Sequence, residues 1–187
     1  MKTTNDYSKV IAVLFLVLAV ALRFVPHPVN FAPIGALGLF AGCYLRGRGL
    51  WLIPVGAMVV SDWIGQLLNL PGSGFYSNIS LAFVYGGFAL GTLLGMLMRD
   101  RVGPFSVFSA AILNATIFFI VSNFGVWLSK LNGYEMSLRG LAECYYMGIP
   151  FFGNSVAGDV FYASLFFGLY QAVISFLPAR ATESEEA

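Results

Sequence analysis

A few polar side chains, set in long apolar runs, carry whatever chemistry this chain performs. The stretch RFVPHPVNFAPIGAL, residues 23–37, holds Arg23, the only histidine His27, and Asn30 within eight positions. A guanidinium offers five donors in a fixed fork, suited to a carboxylate, phosphate or carbonyl, while an imidazole and an amide both donate and accept. Asp62 and Gln66 stand one helical turn apart in SDWIGQ, and Asn123 and Trp127 close the stretch SNFGVWL. Glu143 sits in ECYYMGIPFF beside Tyr145, Tyr146, Phe151 and Phe152. Asn154, Asp159 and Tyr162 share the stretch GNSVAGDVFY. Donors, acceptors and rings in this mixture fit recognition of a flat polar ligand. A carboxylate in an apolar setting can also carry a proton.

Other chemistries lack their residues. The chain has no G-x-x-x-x-G-K-[ST] phosphate loop, no H-E-x-x-H, no G-x-S-x-G and no cysteine pair, since Cys43 and Cys144 lie far apart. No metal site, resident cofactor, catalytic residue or nucleic-acid partner is expected, and any ATP must be hydrolysed by another subunit.

The elements that position these groups follow from composition. With 58% hydrophobic and 10% charged residues and a mean hydropathy of +0.80, the chain has more apolar surface than a soluble core of 187 residues could hide. The expectation is an all-α integral membrane protein of one domain, a six-transmembrane-helix bundle with the bilayer itself as a partner. Apolar runs broken at charges, prolines and glycine pairs place the helices at 9–25, 31–45, 50–70, 79–98, 105–128 and 155–177, followed by a disordered acidic tail at 178–187. The second run is the shortest. Lys2 and Lys9, the apolar Val10–Leu18 and then Ala19-Val20-Ala21 share features with a signal peptide, but the apolar run continues past that point and reads as the first span.

Charge placement sets the orientation. With a cytoplasmic N-terminus, Lys2, Lys9, Arg46, Arg48, Arg99, Arg101 and Arg180 fall inside and Arg23, Lys130 and Arg139 outside. Both termini are therefore expected in the cytoplasm. In this orientation Arg23, His27, Asn30, Asp62, Gln66, Asn123, Trp127, Asn154 and Asp159 all gather toward the outer face, and Asn114 sits mid-depth. Polar groups in a span face a wet cavity or one another. The set thus reads either as the wall of an outward pocket or as a structural network in which Arg23 pairs with Asp62 or Asp159. The outer loop 129–153 carries Glu135, Arg139 and Glu143 at i, i+4 spacing, and its segment 137–152 reads as an interfacial helix lying over that pocket. Gly87, Gly91 and Gly95, like Gly38 and Gly42, mark faces where two helix backbones approach closely. Ser8, Ala12 and Ala19 form a small stripe on helix one, open to packing within the chain or with a partner.

Three stretches, RFVPHPVNFAPIGALGLFAG, SNFGVWL and GLAECYYMGIPFFGNSVAGDVFY, together with the SD of helix three, resemble an uncharacterised bacterial six-helix family described only as transport proteins. Through size, helix number and outer polar pocket, that family is similar to the substrate-binding S components of energy-coupling-factor vitamin transporters. The resemblance implies capture of a small heterocyclic micronutrient from outside, by outer loops and the ends of helices four to six. It also implies delivery with a transmembrane coupling subunit and ATPases, docked through helix one, where the usual Ala-x-x-x-Ala reads Ser8-x-x-x-Ala12. The alternatives are a stand-alone proton-coupled secondary transporter using Asp62 or Asp159, and, more remotely, an aspartyl protease, since VAGD is similar to the G-x-G-D of intramembrane enzymes with Val156 in place of the first glycine.

Overall fold

The computed structural model describes residues 2–45, 49, 52–69, 77–130 and 132–176, with side chains from residue 10 onward except those of 12 and 176. Six helices form among them: α1 (Lys2–Arg23), α2 (Ile34–Tyr44), α3 (Ile53–Leu67), α4 (Asn78–Leu97), α5 (Pro104–Leu128) and α6 (Leu138–Phe176). The expected helix limits at 50, 70 and 177, and the acidic tail at 178–187, lie outside the described residues.

Local sequence sets most of the boundaries. α1 stops at Arg23 because Pro26 and Pro28 cannot continue the ladder and push their predecessors out of helical geometry. Pro54 and Pro104 open α3 and α5 at first-turn positions, where the missing N–H has no partner to lose. Ser77 and Ser137 begin α4 and α6 by accepting the backbone N–H of Ser80 and Gly140, respectively.

The centre of the molecule is α2. Its residues from Ile34 to Cys43 are all buried, as a helix apolar on every side should be. It packs against each of the other five helices. Around it α3, α4, α5 and α6 are neighbours in turn, α1 lies against α3, and Phe15 of α1 stacks on Phe166 of α6 with ring centroids 4.9 Å apart. The α2–α4 contact is backbone on backbone: a Cβ at Gly42 would strike the Thr92 carbonyl, and one at Gly95 the Leu39 carbonyl. The close approach expected from the glycine spacing is therefore present inside the chain.

With 11 residues and about 1.5 Å of rise each, α2 is about 16 Å long, half of a hydrocarbon core. The second expected span is instead a short buried helix. Its buried ends need polar partners, and it finds them in side chains from other helices. The backbone N–H of Ala36 donates to the Asp159 carboxylate. At the other end, Arg99 Nε donates to the Gly42 carbonyl at 2.7 Å and Arg99 Nη2 to the Leu45 carbonyl at 2.9 Å. An anion at the N-terminus and a cation at the C-terminus both oppose the helix dipole.

Three helices, Asn78–Leu97, Pro104–Leu128 and Leu138–Ser175, are long and apolar enough to cross a membrane. They expose residues such as Leu93, Leu97, Phe108, Leu113, Phe161 and Leu169. The remaining apolar helical stretches among the described residues, Val13–Arg23, Ile34–Tyr44 and Ile53–Leu67, are shorter. The protein is membrane-associated on this basis.

Two further expectations need correction. Residues 137–152 do not form a separate interfacial helix: α6 runs unbroken for 39 residues, about 58 Å, straight through Pro150. The proline costs one ladder bond, which a membrane helix tolerates when neighbours satisfy the freed group. Ala19 is fully buried with Ile11 and Phe15, so it offers no surface to a partner. The side chains of Ser8 and Ala12 lie outside the described residues.

Candidate functional site

The C-termini of α1 and α3, the N-termini of α2 and α4, and the middle of α5 and α6 meet at one end of the bundle. They enclose a cavity of about 610 Å³. The chain between α1 and α2 forms its rim, since Pro26, Pro28 and the left-handed Asn30, at φ 65°, keep this segment out of helix as far as Pro33, which caps α2. Asparagine is one of the few residues that adopts that conformation at low cost.

On the α1–α3 side, Arg23 forms an ion pair with Asp62 and donates to Ser61 Oγ, and Tyr85 of α4 donates its hydroxyl to the second Asp62 oxygen at 2.8 Å. Both charges are withdrawn from solvent, at 13% and 4% side-chain exposure, so each compensates a desolvation cost the other could not bear alone. α3 turns the right face inward because Pro54, Met58, Ser61, Asp62 and Gly65 fall on one stripe.

Across the cavity, Asp159 accepts from Asn114 Nδ2 at 2.7 Å and from the Ala36 N–H. Its Oδ1 lies so close to Gly35 that a Cβ there would collide with it. The Asn114 amide oxygen packs against Gly91 of α4 in the same way. Among the described residues no cation pairs with Asp159, which is 6% exposed. The two carboxylates thus have separate hydrogen-bond partners among the described residues.

Between these two poles the wall is apolar, from Met58, Leu81, Val84, Phe88 and Phe118. Phe88 and Phe118 lie with ring centroids 4.7 Å apart. His27 Nδ1 is 2.9 Å from the Pro28 carbonyl, a contact that places the proton on Nδ1 and leaves Nε2 to accept in the neutral ring. A smaller cavity of about 200 Å³ shares Asn30, Val84 and Phe118 with the first and extends to Asn123, Gly148 and Phe151.

Of the residues expected at a site, Arg23, His27, Asn30, Asp62 and Asp159 line the main cavity, and Asn123 lines the smaller one. The others are engaged elsewhere. Gln66 and Glu143 are exposed. Trp127 Nε1 donates to the Glu135 carbonyl at 2.9 Å and tethers the α5–α6 loop. Asn154 holds the rim from outside through the Val29 carbonyl at 3.0 Å. Tyr162 is buried among Phe31, Phe161 and Phe166. Residues not foreseen include Ser61, Tyr85 and Gly35, which support the carboxylates, and Val84, Phe88 and Phe118, which shape the volume. Asn114 stood out in the sequence by its depth alone; its pairing with Asp159 spans 45 positions.

A family model matches residues 3–180, nearly the whole chain, and its description is of a family of unknown function. That description assigns neither transport, nor a vitamin, nor a coupling module, so the resemblance to S components finds no support there. No curated protein and no solved structure matches the chain.

Proposed function

Because the chain belongs to that family, DUF6580, along almost all its length, we propose its function from the cavity itself: it is a membrane transport protein that holds a small solute there. The observation that carries this reading is the cavity's make-up. A volume of about 610 Å³ lies in the range that encloses drug-sized ligands. Two buried carboxylates, a guanidinium, an imidazole and two amides converge on it, with rings between them.

The positive-inside distribution of Lys and Arg supports an outward-facing rim, and thus capture from outside with both termini in the cytoplasm of a bacterial cell. No nucleotide-hydrolysing motif stands in the sequence, so energy enters through a separate ATP-driven coupling module, in the manner of an S component. Buried Ala19 withdraws one of three residues assigned to docking. A specific observation favours a second reading: Asp159, buried without a cation among the described residues, is suited to carry a proton, which would make the protein a stand-alone proton-coupled carrier.

Reconstitution separates the two. Purified protein in liposomes binds solute without concentrating it if a coupling module is needed. Accumulation driven by an imposed pH gradient, abolished in Asp159→Asn, would favour the proton-coupled carrier and sink the coupled one.

A further inference from the structure

We infer that the solute is an organic monovalent cation, an ammonium or protonated heterocyclic amine on an apolar body, whose charge is received by Asp159; this rests on the solute-carrier reading above. The argument begins with charge. The charged residues on the cavity lining are Arg23, Asp62 and Asp159, and His27 is the other titratable one, engaged through Nδ1 with the neighbouring Pro28 carbonyl. Arg23 and Asp62 neutralise one another, with Tyr85 and Ser61 completing their hydrogen bonds. One carboxylate is left over.

Asp159 receives only dipoles: the Asn114 amide, the Ala36 N–H and the N-terminus of α2. These hold a carboxylate in place without cancelling its charge, and a carboxylate has about four acceptor directions, of which two are used here. Neither α4 nor α5 adds a cation to the lining. In a medium of low dielectric, an anion facing a cavity attracts a cation far more strongly than it would in water.

The rest of the lining fits the remainder of such a ligand. Phe88 and Phe118 offer ring faces, and Val84 and Leu81 an apolar floor, for a flat or aliphatic body whose charged head meets Asp159. Among the described residues no group of three His, Cys, Asp or Glu side chains is placed to hold a metal ion, which favours an organic cation over a bare divalent one. An anionic solute would have to displace Asp62 from Arg23 and face Asp159 uncompensated.

Three probes that share an indole on a two-carbon arm test this on the full-length protein in nanodiscs, by titration calorimetry: tryptamine, its alcohol tryptophol, and 3-indolepropionate. The expected order is tryptamine tighter than tryptophol by at least about tenfold, the scale of a charge-assisted hydrogen bond, with indolepropionate weakest. Asp159→Asn should bring tryptamine down to the level of tryptophol. The probe series on the parent protein stands even if that variant fails to fold. Tighter binding of the alcohol or the acid would overturn the cation assignment while leaving a solute carrier of another ligand class. Binding of none of the three at millimolar concentration would count against both.

Discussion

Arg23 and Asp62 illustrate what single residues disclose. The sequence showed a lone arginine at a helix end and two aspartates at matching depth, and left open which of them it meets. The structure pairs it with Asp62 because α1 and α3 are neighbours, while α6 brings Asp159 to α2 and α5. Removing one partner strands the other in a nearly dry site: Arg23→Met should destabilise the protein by about 3 to 5 kcal/mol in detergent unfolding, and Arg23→Met with Asp62→Leu should recover most of that loss. An additive double variant would show that the two charges do not compensate each other. At the rim, His27→Ala should weaken solute binding by about 1 to 3 kcal/mol with little loss of stability. Asn30 calls for glycine instead of alanine, because its φ of 65° would strain an alanine and confound stability with binding. Asn30→Gly should therefore fold like the parent and bind less tightly, as followed by thermal melting and calorimetry on the same samples.

At the scale of elements, glycine spacing was the most informative part of the sequence. Gly38 and Gly42 on one run, and Gly87, Gly91 and Gly95 on another, announced close helix faces, and α2 and α4 meet there. Gly42→Ala and Gly95→Ala each drive a methyl into a backbone carbonyl and should destabilise by about 1 to 3 kcal/mol in the same unfolding assay. Gly86→Ala has nothing within 4 Å of the added Cβ and should leave stability unchanged or slightly raised. Helix limits were legible where proline or serine sets them, at α1, α4 and α5. The role of α2 was not, because a short apolar run reads alike as a marginal span and as a fully enclosed helix. What distinguishes them is Arg99 on its C-terminal carbonyls and Asp159 on its N-terminal amide, both partners far away in sequence. The continuous α6 was missed for a related reason: charges and Pro150 mark an interruption only when water is available to end the helix.

For the molecule as a whole, composition told of the membrane, and the alternating direction of the helices told that polar groups gather at one end. Which of those groups share a cavity depended on rotation about each helix axis. Gln66 shares the Asp62 face of α3 but lies one turn nearer the helix end, and there it is exposed. Cys43 and Cys144 are both buried free thiols and cannot report orientation. Cysteines placed at exposed Glu135 and Arg101, at opposite ends of the bundle, can: an impermeant maleimide should label the first in intact cells and the second only after permeabilisation, and the reverse pattern would turn the cavity toward the cytoplasm.

The central claim is that the cavity holds a solute, and mass spectrometry of the small molecules released from purified protein tests it most directly. Val84 lines both cavities, and Val84→Trp would place a bulky ring in the space between them while leaving every charged residue of the lining unchanged. A defined small molecule should be released from the parent in an amount approaching one per chain and be lost from the folded Val84→Trp variant. Equal release from parent and folded variant, or none from the parent even after incubation with cell extract, would contradict the account.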